Sequence, residues 1–172
     1  MGEIVEVGSG VQHFKVGDQV WYAGDLTRDG SNAEYQAVDE RIVSLKPQSL
    51  SDAEAAALPL TAITAWEMLF DRFNVDLEKF DNILVIGGAG GVGSIAIQLL
   101  KAKTNLKVIA TASREETKAW VKSLGADYVI DHTEDLNTQI KALGLDAPQY
   151  IFSTNQTAVS YTHLTLPTNR EV

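Results

Sequence analysis

"ILVIGGAGGVGSIAIQLLKA", Ile83–Ala102, opens as a short apolar run, places five glycines within Gly87–Gly93, and resumes as an apolar pattern with helical spacing. The run predicts a buried strand at Ile83–Ile86, and the pattern after the glycines predicts a helix over Gly91–Lys103. Gly88-Ala89-Gly90-Gly91-Val92-Gly93 fits G-x-G-x-x-G. That signature is weak alone and becomes informative between a strand and a helix. Gly88 is then expected to make the tight turn off the strand. Gly90 leaves room for a pyrophosphate where a β-carbon would stand, and Gly93 lets the helix pack closely on the strand. The N–H groups around Gly91 and Val92, at the positive end of the helix dipole, would hold the phosphates. The bland alternative is a glycine-rich strand-to-helix turn with no ligand.

Downstream the pattern alternates. Strands are expected at Val108–Thr111, Tyr128–Ile130 and Tyr150–Phe152, with helices at Arg114–Leu124 and Asp135–Leu143. Such βαβ alternation implies a parallel sheet covered by helices. The tip of the second strand selects the dinucleotide. An NAD site places an acid there to bind the adenosine ribose hydroxyls. Here the positions after Thr111 are Ala112, Ser113 and Arg114. A hydroxyl and a guanidinium suit a 2′-phosphate, so the expected cofactor is NADPH. Arg114 could otherwise be an ordinary solvated residue. Glu115 and Glu116 fall in the first helical turn, where acids favour the dipole. His132 follows the third strand and could bond the 2′-phosphate, border the adenine, or be a plain loop residue.

Upstream, "SDAE" reads as a capping box with Ser51 as N-cap and Glu54 at the third helical position. A helix follows as far as Pro59, and a second is expected from Thr61 to Phe73. Before Pro47, "GEIVEVG", "VGDQVWYAG", "AEYQAVDE" and "RIVSLK" read as short antiparallel strands. After Phe152 the pattern is lost in "VSYTHLTLPTNREV", which is Thr-rich and contains Pro167.

The 172 residues carry a formal charge of -9, which argues against nucleic-acid binding through a broad basic face. No apolar run reaches membrane-spanning length. Cysteine is absent, which removes thiolate zinc sites and fits a reducing cytoplasm. His13, His132 and His163 lie far apart in sequence, so no metal site is expected.

Taken together, the segments resemble the medium-chain dehydrogenases/reductases. "GEIVEVGSGVQHFKVGDQVWYAG" resembles the end of their GroES-like catalytic domain, and "DAEAAALPLTAITAWEML" their interdomain helices. "DNILVIGGAGGVGSIAIQLLK", "VIATASREE" and "LGADYVIDH" resemble their cofactor domain. The similarity is strongest to the zinc-free quinone oxidoreductase branch, including proteins called zinc-type alcohol dehydrogenase-like. The resemblance implies an α/β chain: an incomplete doubly wound Rossmann sheet preceded by the end of a GroES-like β-rich domain. It implies a partial GroES-like domain over 1–50 and a partial NADP-binding domain with interdomain helices over 51–157. It also implies NADPH-dependent reduction of a quinone or an activated enone, with a carbonyl or quinone substrate and a homodimeric parent. Thr61 and Thr64 become candidates for the nicotinamide end, Thr61 also being a candidate helix-start cap, and Ser153 and Thr154 become candidates for the nicotinamide ribose. No catalytic residue is assigned.

Full members of that family are about twice as long, so the chain is expected to be an internal fragment. Residues 158–172, which resemble adapter read-through, are expected to be a non-native tail. As a fragment it should be marginally stable and without turnover. Two other functions stay open: an NADP-binding module without catalysis, and a zinc-dependent alcohol dehydrogenase whose ligands lie upstream.

Overall fold

The computed structural model describes residues 1–154; the expectations about residues 155–172 fall outside them. The chain divides into two compact units, Met1–Ile63 and Thr64–Val172.

The first unit holds a three-stranded antiparallel sheet of β1 (Gly2–Glu3), β2 (Gln19–Trp21) and β3 (Ser44–Leu45), in that order. It contains less strand than the period-two pattern suggests. In "GEIVEVG" the strand ends at Glu3, the Ile4 N–H still donates to the Asp18 carbonyl and its carbonyl accepts from the Gly17 N–H, and beyond it Val5 and Val7 are exposed. "AEYQAVDE" forms no strand. Its Gln36 instead accepts from the Tyr22 hydroxyl at 2.7 Å and donates to the Asp29 carbonyl at 2.6 Å. Alternation marks a strand only where a neighbouring strand takes up the backbone groups.

Helix α1 (Asp52–Ala57) begins with the expected box. The Ser51 hydroxyl accepts from the Glu54 N–H, and the Glu54 carboxylate accepts from the Ser51 N–H at 2.9 Å. The Ser51 hydroxyl also donates to that carboxylate at 2.7 Å. Together these bonds hold the Glu54 carboxyl below its ordinary pKa. A carboxylate whose folded pKa is depressed stabilises above its unfolded pKa, and that contribution is lost as pH falls through the folded value. Ser51→Ala removes the N-cap and, on that ground, should cost about 1 kcal/mol, read as a lower denaturant midpoint with an unchanged slope.

Helix α2 (Pro59–Trp66) starts on a proline, whose missing N–H is no loss in the first turn. The segment expected to continue as α-helix to Phe73 becomes π-helical over Glu67–Arg72, with the Phe73 N–H bonded to the Met68 carbonyl five residues back.

The second unit is built on a parallel sheet of β4 (Asn82–Ile86), β5 (Lys107–Thr111), β6 (Tyr128–Ile130) and β7 (Tyr150–Ser153). Its spatial order is β6-β5-β4-β7. The connections are α3 (Gly91–Lys103), α4 (Glu115–Ser123) and α5 (Leu136–Ala142). Alternate side chains of each strand enter different cores. Ile83, Val85, Val108, Ala110 and Phe152 pack with Ala96, Ile97 and Leu100 of α3 and Val121 of α4. Leu84, Ile109 and Ile130 pack with Leu136 and Ile140 of α5 on the other face. Strands covered on both faces read as continuous apolar runs, as "ILVI" does. This is a doubly wound α/β arrangement, as expected. β4 is the first strand, and the chain returns to its far side only with β7. The gap between the carboxyl ends of β4 and β7 is thus a topological switch point, where open α/β sheets bind ligands.

Candidate dinucleotide site

Because the four strands are parallel, their carboxyl ends share one edge of the sheet. That edge carries the glycine loop after β4, Ser113 and Arg114 after β5, His132 after β6, and Ser153 and Thr154 at the end of β7. The topology does not put Thr64 there. It sits half-buried on α2, next to Ala65, which enters the core.

The loop distributes its glycines differently from the sequence reading. The left-handed turn off β4 falls on Gly87, with φ 72°, and not on Gly88. Gly88 is needed for packing instead. A β-carbon there would stand 3.0 Å from the Ala110 β-carbon and 3.3 Å from both Ile97 and Val121. Gly93 is the closest approach of α3 to the loop, because its β-carbon would lie 2.4 Å from the Gly87 carbonyl oxygen and 2.8 Å from the Gly88 α-carbon. Gly90 is the α3 N-cap, exposed, with φ -72° and ψ 167°. A β-carbon on it would meet only the Gly87 oxygen, at 3.3 Å. Packing therefore crowds Gly90 far less than Gly88 or Gly93: one tight contact stands on one side, and the exposed backbone is bare on the other. The Gly90 N–H is bonded to the Gly87 carbonyl, and the first bond of α3 runs from Ser94 N–H to the Gly90 carbonyl. The N–H groups of Gly91, Val92 and Gly93 precede that bond and have no carbonyl within the helix to reach. A cradle of bare backbone at a helix N-terminus fits a pyrophosphate.

Two residues that support this loop were not singled out from the sequence. The Thr111 hydroxyl, buried at the end of β5, accepts from the Gly87 N–H at 3.0 Å. The Ser94 hydroxyl, buried in α3, donates to the Gly88 carbonyl at 3.4 Å. A threonine closing an apolar strand was the available signal for Thr111, since a buried hydroxyl needs a partner. Ser94, in a small-residue helix, had none.

At the second strand tip, Arg114 is exposed and caps α4 through its backbone: its N–H donates to the Thr117 hydroxyl at 3.2 Å, and its carbonyl accepts from that hydroxyl at 2.8 Å. Glu115, the nearest acid in sequence, is paired with Lys118 at 3.0 Å. Among the described residues, the Arg114 guanidinium has no ion pair. Ser113 is half-buried beside it and His132 is exposed. The neighbouring Asp131 carboxyl is held below its ordinary pKa by the Thr133 N–H and then by the Thr133 hydroxyl, with Lys118 and His132 adding a smaller attraction. The Asp131 backbone is clamped by Gln139, which accepts from its N–H at 2.8 Å and donates to its carbonyl at 2.7 Å. This fixes the turn that presents His132. Thr61 donates its hydroxyl to the Leu58 carbonyl at 2.9 Å, at the start of α2.

A doubly wound sheet with a glycine-rich loop at its switch point defines a dinucleotide-binding fold. The family model described as zinc-binding dehydrogenase matches residues 91–164. A zinc-type alcohol dehydrogenase-like protein of Staphylococcus aureus is 47% identical over 165 residues, covering 94% of this chain and 49% of that protein. The structure of a candidate zinc-dependent alcohol dehydrogenase from Rhizobium etli is 54% identical with a TM-score of 0.85, over 94% of this chain and 47% of that one. Escherichia coli quinone oxidoreductase, solved in complex with NADPH, is 27% identical with a TM-score of 0.78, over 91% of this chain and 48% of that one. The relatives of the chain are medium-chain dehydrogenases/reductases, zinc-type alcohol dehydrogenase-like proteins and quinone oxidoreductases among them. It spans about half the length of the curated relatives it matches.

Among the described residues, the zinc in several of those names finds no donor set. The sequence has no cysteine, and among the described residues no group of three His, Asp or Glu side chains could hold a metal ion. Among the described residues no helix is long and apolar enough to cross a membrane.

Proposed function

We propose that this chain is the NADPH-binding part of a cytoplasmic, homodimeric oxidoreductase that reduces quinones or activated enones. The observation that carries the reading is the exposed, bare backbone at Gly90, in a loop at the switch point, where a β-carbon would meet one protein atom only. The NADPH complex of the related quinone oxidoreductase supports the cofactor. When bound, the cofactor supplies a hydride from nicotinamide C4 to a conjugated carbonyl substrate. This chain's residues bind and orient it. The N–H groups of Gly91, Val92 and Gly93 hold the pyrophosphate, with Gly88 and Gly90 shaping the approach. Arg114 and Ser113 hold the 2′-phosphate, and His132 borders that end. Ser153 and Thr154 hold the nicotinamide ribose; Thr64, which lies on α2 and not on that strand edge, is a candidate for the nicotinamide end by the family resemblance alone. Placement matters because hydride transfer depends mainly on the distance and alignment of the reacting carbons.

The test compares cofactors. In the intact parent, NADPH should bind more tightly than NADH, and NADPH oxidation should depend on added quinone. Arg114→Ala should narrow the affinity gap by about tenfold or more, since a charge-assisted bond contributes roughly 1.5–3 kcal/mol. Equal binding of the two cofactors by the unaltered protein would remove the 2′-phosphate assignment.

A further inference from the structure

We infer that Trp120 is a positioning residue for the glycine loop, acting through Ser94. The indole N–H of Trp120, on α4, donates to the Ser94 hydroxyl at 2.9 Å. That hydroxyl has one proton, and it points on to the Gly88 carbonyl. The chain of donors therefore has one direction, from indole to hydroxyl to carbonyl, and each bond polarises the next. The carbonyl at its end belongs to the Gly88–Ala89 peptide. No cis peptide occurs among the described residues, so that peptide is trans and planar, and the Ala89 N–H points opposite to the Gly88 carbonyl. Holding the carbonyl toward Ser94 turns the Ala89 N–H away from α3. That N–H has no protein acceptor among the described residues. Thr111 fixes the Ile86–Gly87 peptide, at the start of the loop, by accepting from the Gly87 N–H. The loop with its two glycines before Ala89 is thus held from both helices and from β5, and its free donors keep one direction before any ligand arrives.

Packing alone does not explain the bond. Trp120 is 50% exposed, so much of its ring buries nothing, whereas its one polar atom is aimed at a serine that is nearly fully buried. The inference rests on the reading of the loop as a dinucleotide site. The role proposed is to pre-organise the loop, which raises affinity by lowering the ordering cost of binding.

The test uses Trp120→Phe, which removes the indole N–H and keeps an aromatic ring, Ser94→Ala, and the pair together. NADPH affinity, measured by calorimetric titration, should fall about three- to tenfold in either single variant, the range for one net hydrogen bond. The double variant should be no weaker than Ser94→Ala, because both act through one chain of bonds. In isotope-labelled protein, the Trp120 indole N–H resonance should shift in Ser94→Ala and on adding NADPH to the unaltered protein. Unchanged affinity in Trp120→Phe, or additive losses in the double variant, would overturn the inference. If Ser94→Ala does not fold, the affinity of Trp120→Phe and the response of the indole resonance to NADPH still decide it. Gly90→Val serves as the control. If that substitution leaves NADPH affinity intact, the site itself has been misread, whereas a loss there with none in Trp120→Phe rejects only the role of Trp120.

Discussion

Gly93→Ala is expected to lower the thermal midpoint sharply. Two effects compete. Alanine favours a helix over glycine by about 1 kcal/mol. Against that, the new methyl would lie 2.4 Å from the Gly87 carbonyl oxygen and 2.8 Å from the Gly88 α-carbon. Both are backbone atoms, so no rotamer change relieves the contact, and α3 must slide away from the loop. That shift would also loosen Ala96, Ile97 and Leu100 from the core on β4 and β5. Overpacking costs typically 1–3 kcal/mol and here should reach or exceed the top of that range. The net loss of about 2 kcal/mol corresponds to a fall of roughly 4–8 °C in Tm. A midpoint that stays or rises would mean that α3 does not approach the loop as closely as described.

Gly90→Val is expected to do the reverse: keep the fold and weaken cofactor binding severely. The backbone at Gly90, with φ -72° and ψ 167°, is extended and open to any residue. The β-carbon would meet one atom at 3.3 Å. The Tm should therefore move by no more than about 2 °C, within what a surface substitution does. The branched side chain would instead fill the space left for the pyrophosphate. NADPH affinity should fall about a hundredfold, equivalent to roughly 2.8 kcal/mol. Titration of the variant beside the unaltered protein checks this. Retained affinity would mean that the ligand does not cross the loop at Gly90. Substituting two glycines three residues apart should thus have opposite readouts, because a β-carbon at one would be crowded by the loop backbone and at the other would meet a single protein atom.

The second unit was legible from local pattern. The expected helix Gly91–Lys103 has the observed bounds, and β4 has the expected carboxyl end, because "ILVI" and the glycines after it leave one consistent reading. The first unit was much less legible. Val5, Val7 and Tyr35 sit in patterns that suggest strands, yet they are exposed and unpaired in any ladder. A strand's hydrogen bonds are made to residues distant in sequence, so alternation alone cannot establish that a partner is present.

The same division runs through the candidate site. From the amino acids alone came the glycine loop, the strand before it, the helix after it, and the absence of an acid beyond Thr111. These depend on neighbours a few residues apart, where backbone sterics and helical period dominate. Only the tertiary structure decided that the left-handed turn is at Gly87, that Gly88 and Gly93 serve packing, and that a β-carbon at Gly90 would meet a single protein atom. Each of those depends on which atoms stand opposite: Ala110 from β5, Val121 from α4, the Gly87 oxygen across the turn. The Trp120–Ser94–Gly88 chain belongs to the same class. It joins residues 26 positions apart, and no local pattern in the sequence marks a tryptophan on an exposed helix as the partner of a buried serine. Folding brings them together because α3 and α4 pack side by side on one face of the sheet.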